Sequence, residues 1–327
     1  VTDVPDGRPA SVDDQLGELT RQMLVDSVPV NTRRAYASQW AQFTAWCGQV
    51  GRRALPATTP TLTEYVAHLI GQKRGPASIE QAMAAVRSAH RAAGHDVLPG
   101  SRDARVLLRA YRRTRARGGQ RVRQAAPITG EELRLLVGAT DPQRLVGLRD
   151  RVLLTLGFAM MARRSELIGL DLDDVREVDE GLVVLVRASE DDQDARGRDI
   201  AVLAAADPAL CPVRATRAWR SALADRGIIE GALLRAVDRH GNLAAGRLSG
   251  DGLRRIVRGL AFRAGLADCA LFTAHSLRAG GATAAARAGA PLSAIAAQGG
   301  WALASPVVHS YIRQSDRWRD HPLRGVV

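Results

Sequence analysis

The stretch "AHSLRAGGATAAARAG" holds two side chains whose types and spacing suit work on a phosphate. His275 and Arg278 stand three apart, so on a helix they share one face. They fall near the start of that helix, where unpaired backbone N–H groups and the helix dipole already favour an anion. A guanidinium adds a fork that can grip two phosphate oxygens at once. Taken alone, a His-x-x-Arg pair also fits a histidine with a purely structural role. Two further residues raise it above chance. Arg163, in "ARRSEL", follows a strongly apolar helical segment and stands at a helix–turn–helix boundary, where a charge needs a partner. Tyr311, in "HSYIR", lies on a short C-terminal helical segment.

Several other chemistries are not written in the chain. It has no P-loop, no His-Glu-x-x-His, no Gly-x-Ser-x-Gly and no acid cluster with two-metal spacing. The glycines of "RAGGATAAARAG" follow no strand and lack dinucleotide-binding spacing, so they read as a helix built for close packing. Cys47, Cys211 and Cys269 are odd in number and far apart, which suggests neither a disulfide framework nor a zinc site. No metal and no cofactor are expected. No apolar run approaches the roughly 18 residues needed to span a bilayer, so no membrane partner is expected either, and a reducing intracellular setting fits best.

The partner is suggested by charge. The chain carries a formal charge of +12, almost all of it from arginine, because Lys73 is the only lysine. A polyanion is the default partner of such a protein, and nucleic acid the first candidate. A basic protein that is merely soluble is the alternative.

The elements that must position these residues follow from periodicity. With 327 residues, 46% of them apolar, the chain can build two ordinary domains. It reads as mainly α with a small antiparallel β-sheet. Residues 1–28 are polar and acidic, a flexible segment with one short helix. Residues 29–115 read as an all-helical bundle. Its first helix has Asn31 as N-cap, and Tyr36, Trp40, Phe43 and Trp46 form a stripe that is either core or a base-stacking platform. Helices follow near 61–73, 77–93 and 101–115, the last two capped by Ser78 and Ser101.

A basic run without acids, "YRRTRARGGQRVRQAAP", then contains Arg112, Arg113, Arg115, Arg117, Arg121 and Arg123. It reads as an interdomain linker, with 116–127 as its body, that tracks phosphates, or else as a solvated helix end and loop. Residues 128–327 form the second domain. Thr129 and Glu132 make a capping box. An apolar helix over 143–160, a short helix after Arg163, a hairpin around 181–200 and a helix from Pro212 come next. A helix over 251–264 follows, then three more carrying "HSLR", "PLSAIAAQGG" and "SPVVHSYIRQ".

"ARRSELIGL", "HSLRAGGATAAARAG", "QGGW" and "SYIR" occur in the order and approximate spacing of the tyrosine recombinase (phage integrase) family. The chain resembles that family over nearly its whole length, its bacterial integrases above all. The N-terminal bundle is similar to the family's core-binding (SAM-like) DNA-binding domain and 128–327 to its catalytic domain, which implies a two-domain DNA clamp. By this resemblance, Tyr311 would attack a scissile phosphate of double-stranded DNA, leaving a 3′-phosphotyrosyl link and a free 5′-hydroxyl. Arg163 and Arg278 would hold the non-bridging oxygens and stabilise the transition state. His275 would hydrogen-bond the phosphate and assist proton transfer. Trp301 would fill the second His/Trp position with its indole N–H, and Glu166 would orient the arginine pair.

The resemblance further implies inverted-repeat half-sites, a homotetramer on two DNA sites, a Holliday junction and a cytoplasmic, nucleoid-associated protein. Any segment after Tyr311 that docks on a neighbouring protomer must be short. Arg187 joins the basic run as a candidate DNA contact, and the helices at 77–93 and 251–264 are candidates for the grooves.

The pattern departs from the family in two places. The family's general acid is a lysine in the small hairpin. Related integrases read Ser-Lys-Thr-Asp-Gln there, whereas this chain reads "SEDDQ", which puts Glu190 at the lysine position. A carboxylate there repels the phosphate and donates a proton only if its pKa is strongly raised. Arg187, Arg196 or Arg198 could serve as an electrostatic substitute. The second departure is one extra residue between Trp301 and Tyr311, within "ALASP". Two readings follow: an active recombinase with another proton source, or a catalytically attenuated DNA-binding protein on this scaffold, acting in DNA architecture or regulation.

Overall fold

The aromatic stripe lies on α1 (Val30–Gln49), and most of it faces a helical core. Phe43 and Trp46 are buried, with the Phe43 ring 5.0 Å from Tyr65 in a tilted edge contact. Trp40 packs half-buried on the same core, and Tyr36 stays at its margin. The stripe is therefore core at its C-terminal end and open at its N-terminal end. In this computed structural model the described residues are 17–20, 23, 28, 30–95, 97–120, 125–187, 197–316 and 323. The chain divides into two units, Val1–Val122 and Arg123–Val327.

In the first unit α1 is followed by α2 (Thr59–Gly71), α3 (Pro76–Ala92) and α4 (Arg102–Arg117). α1 packs on α3 and α2 on α4. The caps differ from the expected ones. α1 starts at Val30, so Asn31 is inside its first turn. α3 starts at Pro76 after Gly75, a proline that needs no N–H partner at this position, and Ser78 therefore lies inside the helix. Ser101 occupies the N-cap position of α4 but makes no side-chain capping bond. His90 is fully buried, accepting the Ala57 N–H at Nε2 (2.7 Å) and donating from Nδ1 to the Val86 carbonyl (2.7 Å).

The basic run is not a linker over its first part. Arg112, Arg113, Arg115 and Arg117 continue α4, because arginine is a good helix former and no breaker intervenes before Gly118 and Gly119. Arg121 and Arg123 lie outside the described residues.

The second unit opens on the expected capping box. The Thr129 hydroxyl accepts the Glu132 N–H at 3.4 Å, and the Glu132 carboxylate accepts the Thr129 N–H at 2.5 Å. α5 (Gly130–Gly138), α6 (Leu145–Ala159) and α7 (Arg164–Gly169) follow. α6 is the spine of this core, with Val152 to Leu154 and Leu156 fully buried. Strands β1 (Val175–Val178), β2 (Gly181–Val186) and β3 (Arg198–Leu203) form an antiparallel sheet in which Val184 faces Ile200. The hairpin tip between β2 and β3, Glu190 and Arg196 included, lies outside the described residues.

After α8 (Pro212–Ala224) comes a second, two-stranded sheet of β4 (Arg235–Val237) and β5 (Leu243–Arg247), which was not expected. β4 has only three residues and β5, almost wholly exposed, shows no apolar alternation. The Arg235 guanidinium helps to hold the sheet, donating to the carbonyls of Glu230, Ala232 and Ala245. The unit closes with α9 (Gly250–Arg263), α10 (Ala274–Arg287), α11 (Leu292–Gly299) and α12 (Pro306–Asp316). Among the described residues no helix is long and apolar enough to cross a membrane. All three cysteines are free.

The glycine pair of α10 has the packing role that its sequence suggests. A Cβ on Gly280 would strike the Ile128 carbonyl, and one on Gly281 the Phe158 carbonyl. Both obstacles are backbone and cannot rotate away. We expect Gly280→Ala to cost about 1–3 kcal/mol, as overpacking does, read as a lower midpoint in chemical denaturation. An unchanged midpoint would show that the α10 contact is looser than this.

Candidate active site

α7 is short because its task is local: it presents Arg163 at its N-cap and Glu166 one turn later. The Glu166 carboxylate caps the helix by accepting the Arg163 backbone N–H at 2.8 Å. Its other oxygen takes the Arg163 Nη1 at 2.8 Å. Glu166 is fully buried and the Arg163 side chain is 15% exposed, so this is a charge pair largely out of water. Such a pair stands only when its remaining bonds are satisfied. Arg163 meets this by donating from Nη2 to the Gly300 carbonyl at 3.2 Å. Glu166 meets it by accepting Arg198 Nη2 at 3.3 Å.

Arg278 lies on the first turns of α10 and is 3% exposed. Its Nη1 donates to the carbonyls of Met161 (2.5 Å) and Gly299 (2.7 Å). Met161 has φ of 50°, a left-handed conformation that turns the chain from α6 toward α7. The guanidinium carbon sits 3.8 Å from the centre of the Trp301 ring, a cation–π stack. Burial is the main force that pushes the Arg278 pKa down to about 10. Repulsion from Arg163 and Arg198 adds to it, and Glu166 and Tyr311 partly offset it. The side chain remains a cation at neutral pH, but a stressed one.

His275 and Tyr311 meet across the same space. The Tyr311 hydroxyl is 2.8 Å from His275 Nε2, and the tyrosine ring packs 5.7 Å from Trp301. Burial, with Arg278 in second place, lowers the His275 pKa below its ordinary 6.5. The N-terminal end of α10 acts in the same direction. Burial raises the Tyr311 pKa, and Arg278 pulls it back in part. The extra residue in "ALASP" therefore does not carry Tyr311 away from His275.

Four of these side chains border a cavity of about 620 Å³. Arg163, His275, Arg278 and Trp301 line it, and so do Arg164 and Arg254, which sequence reasoning did not single out. Among the described residues no group of three or more His, Cys, Asp or Glu could hold a metal ion.

Other expected site residues fall differently. Trp301 lies with its ring face beneath Arg278. Glu166 binds Arg163 and Arg198, whereas Arg278 is positioned by backbone carbonyls. Arg187 stands at the end of β2, paired with Asp174 (2.7 Å) and Asp171 (3.4 Å), so its charge is already engaged. Glu190 lies outside the described residues. Arg112 pairs with Glu80 at 2.8 Å on the wall of a groove of about 1040 Å³ in the first unit. That groove is lined by Arg87, Arg91, Arg102, Arg105 and Arg109, and by Tyr36 at its edge. The five arginines were missed because they recur one or two turns apart on α3 and α4 and form no run in sequence.

The sequence profile of the phage integrase family matches residues 127–317. The integrase/recombinase xerD homolog of Selenomonas ruminantium is 32% identical over 310 residues, 95% of this chain and 89% of that protein. Two solved structures share the fold. The Tn1549 transposon integrase in complex with transposon right end DNA has a TM-score of 0.59 at 14% identity, covering 93% of this chain and 97% of that one. A lambda integrase tetramer bound to a Holliday junction has a TM-score of 0.54 at 16% identity, covering 89% and 74%. The chain belongs to the phage integrase, or tyrosine recombinase, family. That membership places it generally among the enzymes of site-specific DNA recombination.

The Glu166 pair yields a stability test. Removing one partner of a buried pair costs about 3–5 kcal/mol, discounted here because both guanidiniums keep some water. Glu166→Ala is expected to cost about 2–4 kcal/mol, measured by chemical denaturation. A loss below about 0.5 kcal/mol, the range of neutral surface changes, would contradict the bonding described.

Proposed function

We propose that this protein breaks and rejoins double-stranded DNA at a specific site through a covalent bond between Tyr311 and a 3′-phosphate. The observation that carries the reading is the 2.8 Å contact between the Tyr311 hydroxyl and the Nε2 of His275, a residue that lines an arginine-rich cavity. A tyrosine whose pKa is raised by burial needs a base, and a histidine whose pKa is lowered is unprotonated and able to be one. As the tyrosine oxygen bonds to phosphorus, its proton passes to Nε2. The bond from phosphorus to the 5′-oxygen breaks, and that oxygen takes up a proton to become the 5′-hydroxyl.

Arg278 spends Nη1 on two carbonyls, which leaves Nη2 and Nε for the phosphate oxygens. Its charge, with that of Arg163, offsets the negative charge that grows in the transition state. The phosphotyrosyl bond conserves the energy of the broken phosphodiester, so rejoining to a partner strand needs no nucleotide. The arginine groove between α3 and α4 is the proposed seat of the DNA backbone on the first unit, with Arg112 at its rim. Arg113, Arg115 and Arg117, further along α4, are proposed as additional backbone contacts, and Arg121 and Arg123, which lie outside the described residues, are proposed from their charge alone. We further propose inverted half-sites, four protomers and a Holliday junction, on the strength of family membership.

Glu190 stands where a lysine would protonate the leaving strand, and Lys73 is the only lysine in the chain. Solvent is the proposed proton source. This favours a slow enzyme, and the attenuated DNA-binding protein is its limiting case.

A nicked duplex selected by the protein from a random-sequence pool is expected to give an SDS-resistant adduct, absent in Tyr311→Phe. The midpoint of the acid limb of its rate is expected below pH 6.5, because burial lowers the His275 pKa from that value. An acid limb centred above 6.5 would remove His275 as the base. No adduct on tightly bound DNA would favour the attenuated protein.

Replacing the leaving 5′-oxygen by sulfur removes the need for a proton. If solvent is the acid, that substrate reacts faster by about 10²–10⁴, the usual contribution of a general acid. Equal rates would show that another group already donates.

A further inference from the structure

We infer that Arg198, outside the four sequence motifs, is a positioning residue that holds Glu166 and the end of α11 in the arrangement that aims Arg163 and Arg278. For what the site does, this rests on the recombinase reading; for what Arg198 holds, it rests on geometry.

Arg198 is the first residue of β3, about a hundred positions from α11. Its Nη1 donates to the carbonyls of Ala297 (3.2 Å) and Gln298 (2.8 Å), and its Nη2 to Glu166 (3.3 Å). The next two carbonyls, of Gly299 and Gly300, accept from Arg278 and Arg163. Four consecutive carbonyls thus serve three guanidiniums. The last carbonyls of a helix have no intrahelical partner and form the negative end of its dipole. α11 is therefore an acceptor platform, and Arg198 binds the half of it that the two phosphate-facing arginines leave open.

A reciprocal bond fixes the seam. The Gln298 side chain donates to the Ala201 carbonyl of β3 and to Ala159 at the end of α6, each at 2.9 Å. Gly300, at φ of 65°, completes the contact, because a Cβ there would come within 2.8 Å of the Arg198 guanidinium carbon.

An arginine that merely caps a helix end is the simpler alternative. Two facts weigh against it. Arg198 shares with Arg163 a carboxylate that has no exposure to water, and its own side chain is 22% exposed. Its charge is also among those that depress the Arg278 pKa. Arg198 thus acts on both phosphate-facing arginines without facing the phosphate: on Arg163 through Glu166, and on Arg278 by holding the Ala297 and Gln298 carbonyls next to the Gly299 carbonyl that Arg278 binds.

The test compares wild type with Arg198→Ala and Arg198→Gln. Gln keeps an amide donor for the Gln298 carbonyl but loses the ion pair, and it preserves the test if the alanine variant fails to fold. In protein labelled with 15N-arginine, exchange of the guanidinium protons with water is followed at low temperature. Arg163 is expected to exchange at least about tenfold faster in Arg198→Ala and less so in Arg198→Gln. Arg235, held by three other carbonyls, should not change and controls for general loosening.

On the nicked duplex that wild type selects from a random pool, the adduct rate should fall about 10–100-fold, the scale of a misplaced catalytic group. Affinity for the same duplex should stay within about threefold. Unchanged Arg163 exchange, equal loss at Arg235, an unchanged adduct rate, or equal losses of rate and affinity would each overturn the inference. If wild type itself gives no adduct, the recombinase reading fails, and the exchange measurement alone decides what Arg198 holds.

Discussion

The end of one short helix is the constraint on which the site depends. α11 runs only from Leu292 to Gly299, and its final carbonyls point at three arginines that come from three other elements. Arg163 comes from the cap of α7, Arg198 from β3 and Arg278 from α10. Burial is the main reason that the Arg278 pKa is lowered, and repulsion among cations gathered this closely adds to it. One buried carboxylate, Glu166, and the helix end offset part of it. The positive charge left over is what an incoming phosphate would neutralise. Under the proposed function, that charge would make the site a preorganised anion site.

The same burial tunes the proton chemistry in opposite directions. It makes Tyr311 a weaker acid and His275 a weaker base, so neither is charged at rest. In the proposed reaction this neutral pair, 2.8 Å apart, passes a proton once a phosphate and the arginines stabilise the charge that forms on the other side. The tyrosine stays protonated until then. Trp301 links the two halves, with one face under Arg278 and its ring packed near Tyr311. Gly299 makes room for that ring, since a Cβ there would strike it.

Much of this was legible in the sequence, and the rest was hidden for physical reasons. Helical period and capping residues placed α5, α6 and α9 well, because each carries its own signals: Thr129 with Glu132, an apolar spine, Leu253 with Val257 and Leu260. Arg163, Glu166, His275, Arg278, Trp301 and Tyr311 were visible through short motifs; the structure puts Arg163, His275, Arg278 and Trp301 around one cavity, with Glu166 bonded to Arg163 and Tyr311 to His275. Arg198 was visible only as one of several hairpin arginines. Its partners lie 32, 99 and 100 positions away, and no local pattern encodes them. The basic run was read as a linker by its charge, although arginines also sustain a helix, as α4 shows. The second sheet escaped notice because β4 has only three residues and β5, almost wholly exposed, shows no apolar alternation to read.

The account turns on which atom takes the phosphate. Digestion of the covalent complex, followed by mass spectrometry of the DNA-linked peptide, answers that directly. The account predicts a nucleotide joined through its 3′-phosphate to the hydroxyl of Tyr311 in the peptide containing "HSYIR". A link to any other residue, or through a 5′-phosphate, would contradict it.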